Sequence, residues 1–514
     1  MNKQNLAFSA KGLVSDQSHA LEILTETHPE ALCIRVSTPV AHRFNKVVVQ
    51  VDGFAPVDEI FPASPNMNDV RRIPGWLQAH QGIRSSHADQ VFGEQWLFTP
   101  APLVFPMLSG GKWLGIGLGA EPGRNQYVGW TYRPVAPGAF TLEIYYEGQW
   151  NGEGHLFTLF VPKAVRDKPE ELIADYSNWL RAKGWAPSPK RAPASWWTRP
   201  FSQAWGEQCN LLNARGIRVM ANNTPDEIGS YDTQANEMRW YGRLDEKGIP
   251  LGVASLGDKW QLSRHRLLPD PAKFPDFRGY VDWHHRAGRH VVAWLGMWKH
   301  DQAPAHMCIL NDKGERLSLD PESPTFRKQL QEDVTRLISP QGYDFDGFFL
   351  DFTAEMPAGA ASRPEGGRWG MELLHEYVRL IHEAAKAAKP DAMILSHCCH
   401  PYFADVVDVF RLNDYAFKNP TLVEQMRYRA SIAKASSDWL INTDGWCMYD
   451  IGEWRKMLRA APETGIPASW FTHGVFGEGS LSYEAFTEQD YAEWKDIWTR
   501  YHADNGFSTE KPLV

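Results

Sequence analysis

Along the first third of the chain, apolar and polar residues alternate in short runs. "ALCIRVSTPV", "FNKVVVQVDGF", "KWLGIGLGAE", "QYVGWTYRP" and "FTLEIYYEGQW" are β-branched or aromatic stretches separated by Gly, Pro and Asn turns. That rhythm predicts an all-β sandwich over residues 1–165. The period then changes. "KPEELIADYSNWLRAKGW" sets Leu172, Ile173, Tyr176 and Leu180 on one face of a helix. "APSPKRAPAS" follows, rich in Pro, Ala and Ser, so residues 166–195 read as a helical linker.

From Trp196 onward, continuous apolar runs alternate with amphipathic ones. Candidate strands are "WTRPFSQAW", "IPLGVASLG", "RHVVAWLGMW", "FDGFFLDF", "DAMILSH", "VVDVFRLND", "DWLINTDG" and "IPASWFTHG". Helical stretches such as "DPESPTFRKQLQEDVTRLIS" and "RWGMELLHEYVRLIHEAAKAA" lie between most of them. Runs like "FDGFFLDF" do not alternate, which is the habit of parallel strands buried on both faces. Eight such strands with helical crossovers predict an α/β fold, a (β/α)8 TIM barrel over residues 196–514. An open doubly wound sheet is the alternative, but no Gly-rich phosphate turn follows any strand.

Composition narrows the function. The chain has 514 residues and a formal net charge of −9, with no block of Lys and Arg. A nucleic-acid partner would need a basic surface and is excluded. No apolar stretch is long enough to span a bilayer, so no membrane partner is expected. The start, "MNKQNLAFSAKGLVSDQ", lacks the apolar core of a signal peptide, and the expected location is the cytoplasm. Six cysteines in this length do not make a dense disulfide framework. "SHCCHP" gathers His397, Cys398, Cys399 and His400. Zinc ligands are usually spaced by about two to four residues, however, and adjacent ones point apart along a strand. The reading is therefore no metal and no cofactor, with a metal-dependent hydrolase kept as an alternative. The 22 tryptophans are a positive signal, because an indole offers a flat apolar face and one donor to a planar ligand such as a sugar ring.

A barrel presents its chemistry at the strand C-termini. The second candidate strand ends in Asp258 and Trp260, and the third in Trp298, Lys299 and His300. The fourth ends in Asp351 and the fifth in His397 and Cys398. Arg411, Asn413 and Asp414 end the sixth, and Asp444 and Trp446 the seventh. Carboxylates and indoles at one mouth are what glycoside hydrolysis needs: one carboxylate to attack or stabilise the anomeric carbon, another to protonate the leaving oxygen. Asp258 and Asp444 taken singly read equally well as helix caps.

These residues carry a resemblance. Residues 196–480 resemble the catalytic barrel of the retaining glycoside hydrolase clan of α-galactosidases and α-glucosidases, families 27, 31 and 36. "LGDKW" followed by "KFPDFRGYVDWHHRAGRHVVAWLGMW" is similar to a run in family 36, and "LDPESPTFRKQL" to the segment before that family's nucleophile strand. "FFLDF" falls where the family carries its nucleophile, which implies that role for Asp351. "SHCCHPYFADVVDVFRLNDY" resembles the stretch ending in the acid/base, which implies that role for Asp414. The β-sandwich before the barrel matches the domain order of families 31 and 36. Two departures leave the sugar open. α-Galactosidases carry a Lys two residues before the nucleophile, where this chain has Phe349, and "DFTAE" has one residue more before Glu355 than the "DMNE" of α-glucosidases.

The resemblance thus implies a retaining α-glycosidase for a small carbohydrate, with Asp258, Trp260, Trp298, Lys299, His300, His397, Cys398, Arg411, Asp444 and Trp446 as substrate-binding candidates. A transglycosylase of the same fold and a non-catalytic carbohydrate-binding protein are the alternatives. A homo-oligomer is compatible with either. The sandwich is expected to be an accessory domain that carries none of these carboxylates, and segment 89–98, "DQVFGEQWLF", is its one loop to watch for a reach toward the mouth.

Overall fold

The computed structural model describes residues 6–63, 72–83, 100–187, 193–219, 226–357, 359–414, 422–446, 450–477 and 482–506. Segment 89–98 lies outside them. Two antiparallel sheets occupy the N-terminal part. One has six strands in the order Gln17–Ala20, Ala7–Val14, Lys46–Asp52, Ala139–Tyr145, Gly129–Ala136, Ala79–Gly82. The other has seven: Glu22–Thr27, Ala31–His42, Gly152–Pro162, Lys112–Gly119, Val104–Ser109, Glu59–Ile60, Ile73–Pro74. Alternation places Val47, Val49 and Val51 between the sheets, fully buried, while the residues between them stay half-exposed.

The eight expected barrel strands all form: β1 (Phe201–Gln203), β2 (Val253–Leu256), β3 (His290–Gly296), β4 (Gly347–Asp351), β5 (Met393–Ser396), β6 (Val409–Arg411), β7 (Leu440–Asn442) and β8 (Ala468–Ser469). They pair in parallel in sequence order, β8 pairs with β1, and a bridge from Asn442 to Ile466 closes the circle. Along β4, Phe348 and Leu350 pack into the layer beneath the helices, while Phe349 turns inward, its ring 5.8 Å from Phe201. Asp351, two residues on, therefore faces inward as well.

Helices connect most strands, among them Pro324–Ile338 before β4 and Gly370–Ala388 after it. The β5–β6 connection is different, holding only the single turn Pro401–Phe403. Helix Pro169–Ala182, which precedes the barrel in sequence, packs beside this connection. Its Tyr176 hydroxyl lies 2.9 Å from His400 Nε2, and Arg181 donates to the Ser436 carbonyl at 2.8 Å. Its other side lies on strand Lys112–Gly119, where a Cβ on Gly117 would come within 2.5 Å of the Tyr176 ring and one on Gly119 within 2.7 Å of Trp179. The missing side chains let helix and sheet approach this closely. A second seam forms at Glu372, whose carboxylate accepts from the Gly123 and Asn125 amides, from Asn125 Nδ2 and from the Tyr402 hydroxyl.

Candidate active site

Asp351 ends β4 inside the barrel mouth, its side chain 13% exposed. Three donors hold it: His397 Nε2 at 3.0 Å, Trp294 Nε1 at 3.1 Å and the Phe352 amide at 2.8 Å. Arg411 Nη1 lies 3.5 Å from its second oxygen. Burial opposes ionisation, but the Arg411 charge and the His397 bond outweigh it and hold this carboxyl well below the usual range. Burial and the same arginine push His397 down to about 4, so the ring is neutral and the acceptor fixes its proton on Nε2.

Arg411 is the hub. Its side chain is fully buried at the end of β6, over the Phe349 ring at 4.3 Å. Nε donates to Asp444 at 2.6 Å and Nη2 to Asp414 at 2.8 Å. Asp414 sits just outside, 24% exposed. Burial pushes its carboxyl up to about 8, with Arg411 pulling it down and the charges of Asp444 and Asp351 pushing it back up. The surroundings thus drive the two carboxyls apart, Asp351 toward its ionised form and Asp414 toward its protonated one.

The turn that carries Asp414 is itself clamped. Arg429, from helix Leu422–Ser436, donates to the carbonyls of Leu412, Asn413 and Asp414 at 3.1, 2.8 and 2.7 Å. Lys259, Trp298, Phe352, Asn413 and Asp444, each just past a barrel strand, have φ of 77°, 68°, 56°, 83° and 68°. Left-handed backbone of this kind in residues other than glycine is strained and gathers at functional sites.

The other sequence-predicted residues divide by depth. Lys299 pairs with Glu355, and its ammonium stands 4.3 Å over the Phe352 ring. Asp258 pairs with Arg264 at 2.9 Å, and His300 stays half-buried at the rim. Asp444 is fully buried behind Arg411. Cys398 is buried, taking a bond from the Ser396 hydroxyl at 3.5 Å, and burial pushes its thiol up to about 12.

The indoles expected to hold a sugar face are buried against other side chains. Trp260 donates to the Trp294 carbonyl and stacks on Phe277, and Trp298 donates to the Thr353 carbonyl against Tyr377. Trp446 stacks on Phe471. All three are at most 3% exposed. Neither do His397 and His400 converge: one reaches Asp351, the other Tyr176. Among the described residues no group of three or more His, Cys, Asp or Glu is arranged to hold a metal ion.

Sequence reading missed Trp294 and Arg429. Trp294 was detectable in principle: it lies two residues before the end of β3, on the inward parity, and pairs in register with Phe349. Arg429 lies in a helix of weak amphipathicity, and nothing local marks it.

No protein-family model and no curated protein matches the chain. Solved structures do share its fold. A cycloalternan-degrading enzyme from Trueperella pyogenes superposes with a TM-score of 0.57 at 14% identity, covering 98% of this chain and 75% of its own. An α-galactosidase from Thermus thermophilus gives 0.60 at 14%, covering 96% and 94%. A glycoside hydrolase family 31 α-xylosidase from a soil metagenome gives 0.59 at 11%, covering 94% and 77%. At these identities the likeness is one of fold: an N-terminal β-sandwich and a (β/α)8 barrel. No helix among the described residues is long and apolar enough to cross a membrane.

Proposed function

We propose that the protein is a retaining α-glycosidase in which Asp351 is the nucleophile and Asp414 the acid/base. The observation that carries this reading is the pair of inward carboxylates on one buried guanidinium, one held ionised by Arg411, His397 and Trp294, the other held protonated. Two carboxyl groups with pKa values driven apart are what a double displacement requires. Asp351 attacks the anomeric carbon as Asp414 protonates the leaving oxygen, giving a glycosyl ester. Asp414, now a base, deprotonates the water that releases the sugar.

The substrate is a neutral glycoside. Among the described residues, Lys259, Arg264, Lys299 and Arg411 each have a carboxylate partner, which supports a neutral rather than an acidic or sulfonated sugar. Fold likeness to enzymes acting on α-linked sugars supports the α configuration. A screen of α- and β-nitrophenyl glycosides across neutral and acidic sugars tests this, with Asp351→Asn as the control. Turnover of a neutral α-glycoside, abolished in Asp351→Asn, is expected. Activity of the variant within about tenfold of wild type, only about 1.4 kcal/mol of barrier, contradicts a nucleophile at this position.

A further inference from the structure

Arg411 faces more negative charge than one guanidinium balances. Asp351 on β4, Asp414 after β6 and Asp444 after β7 all converge on it, at 3.5, 2.8 and 2.6 Å. Among the described residues, the other charged or titratable groups packed around the cluster are His397 on β5, neutral because burial and Arg411 push its pKa down, and Arg429. Arg429 is a second cation, whose Nη1 binds backbone carbonyls and whose charge also draws Asp414 toward ionisation; the carboxylates still outnumber the cations three to two. From β8, Trp470 contributes only a neutral indole N–H, donated to the Asp444 carbonyl at 2.6 Å. Three ionised carboxylates are not stable in such a site, and one of them holds a proton.

Counting donors identifies which one. Asp351 accepts from His397, Trp294 and the Phe352 amide in addition to the arginine's charge. Asp444 accepts from Arg411 Nε and from the Trp446 amide at 3.2 Å, and the Asn442 side chain fixes its backbone by accepting from its amide at 2.8 Å. The Asp414 carboxyl accepts from Arg411 Nη2 alone among the described residues. The proton therefore rests on Asp414.

We propose that Asp444, whose side chain is fully buried, is the positioning residue that keeps Asp414 a proton donor. By binding Nε and adding a negative charge, it takes up the part of the guanidinium's field that would otherwise ionise Asp414. Without that charge, two guanidinium cations face two carboxylates and the acid is lost as a carboxylate at neutral pH. This rests on the reading of Asp414 as the acid/base, but its test does not need turnover.

Protein labelled with ¹³C at aspartate carboxyls is titrated by NMR, with Asp414→Asn identifying the Asp414 resonance. In Asp444→Asn the Asp414 midpoint should fall by about one pH unit or more, the direction expected when a neighbouring like charge is removed. Asp444→Glu, which keeps the charge, should stay near wild type. An unchanged midpoint in a folded Asp444→Asn overturns the proposal. Should that variant not fold, a neutron structure of the wild-type protein at pH 7 decides: a deuteron on Asp414 agrees, a deuteron on Asp444 overturns it. If the NMR shift is present but no glycoside is turned over, the catalytic reading fails and the electrostatic one stands.

Discussion

Asp351, Asp414 and Asp444 are chemically identical, and their surroundings separate them. Several donors surround the first, Arg411 and the Trp446 amide hold the third, and among the described residues the second has a single bond. Asp351 and Asp414 were legible in the sequence because each ends or follows an apolar strand, where a barrel presents its chemistry. Asp444 was legible as a position but not as a buried one, because its depth is set by Trp470 and Arg411, distant in sequence. The sugar-stacking role expected of Trp260, Trp298 and Trp446 failed for a similar reason: composition counts indoles but cannot say which way they face. If Asp414 is the acid/base, Asp414→Ala should slow hydrolysis of sugar or alkyl aglycones severely but spare glycosylation by activated nitrophenyl or fluoride substrates. Azide should restore turnover and yield a glycosyl azide of retained configuration, and the alkaline fall in kcat/KM, set in the wild type by loss of the Asp414 proton, should disappear. An inverted azide, or equal losses on good and poor leaving groups, assigns Asp414 another role.

At the scale of elements, all eight barrel strands could be read from apolar runs, while several sandwich strands could not. Ala7–Val14 and Gln17–Ala20 are largely exposed and carry little apolar signal, and they are ordered by pairing with Lys46–Asp52 and with each other. Helix Pro169–Ala182 was correctly read as amphipathic, but its second role was not visible. It packs beside the β5–β6 connection, where the barrel itself supplies only one helical turn. The glycines of Lys112–Gly119 make that docking possible, which gives a prediction opposite to strand propensity. Valine favours a strand over glycine, yet Gly117→Val should destabilise by roughly 1–3 kcal/mol because its side chain meets the Tyr176 ring. Chemical denaturation measures this, and a variant as stable as wild type would mean the helix can move away freely.

Across the whole molecule, the sandwich and barrel share buried polar contacts that neither could satisfy alone. Glu372 of the barrel takes its donors largely from residues 123–125, and Gln149 donates to the carbonyls of Gly359 and Ser362 in the stretch after β4. A chain beginning at Ala186 would leave Glu372 and His400 without these partners and uncover the β5–β6 region. We expect it to aggregate or to melt well below the full-length protein, since each buried group left unsatisfied costs about 1–3 kcal/mol. A truncated chain that melts with the full-length protein would show the sandwich to be dispensable for stability. A covalent bond between Asp351 and the sugar is detectable by mass spectrometry. The protein is incubated with a panel of 5-fluoro-α-glycosyl fluorides of neutral sugars, digested, and the peptides mapped. One glycosyl adduct on the peptide carrying Asp351, absent from Asp351→Asn, is the predicted result; an adduct on Asp414 or Asp444 instead, or steady turnover with no adduct at any carboxylate, would contradict the account.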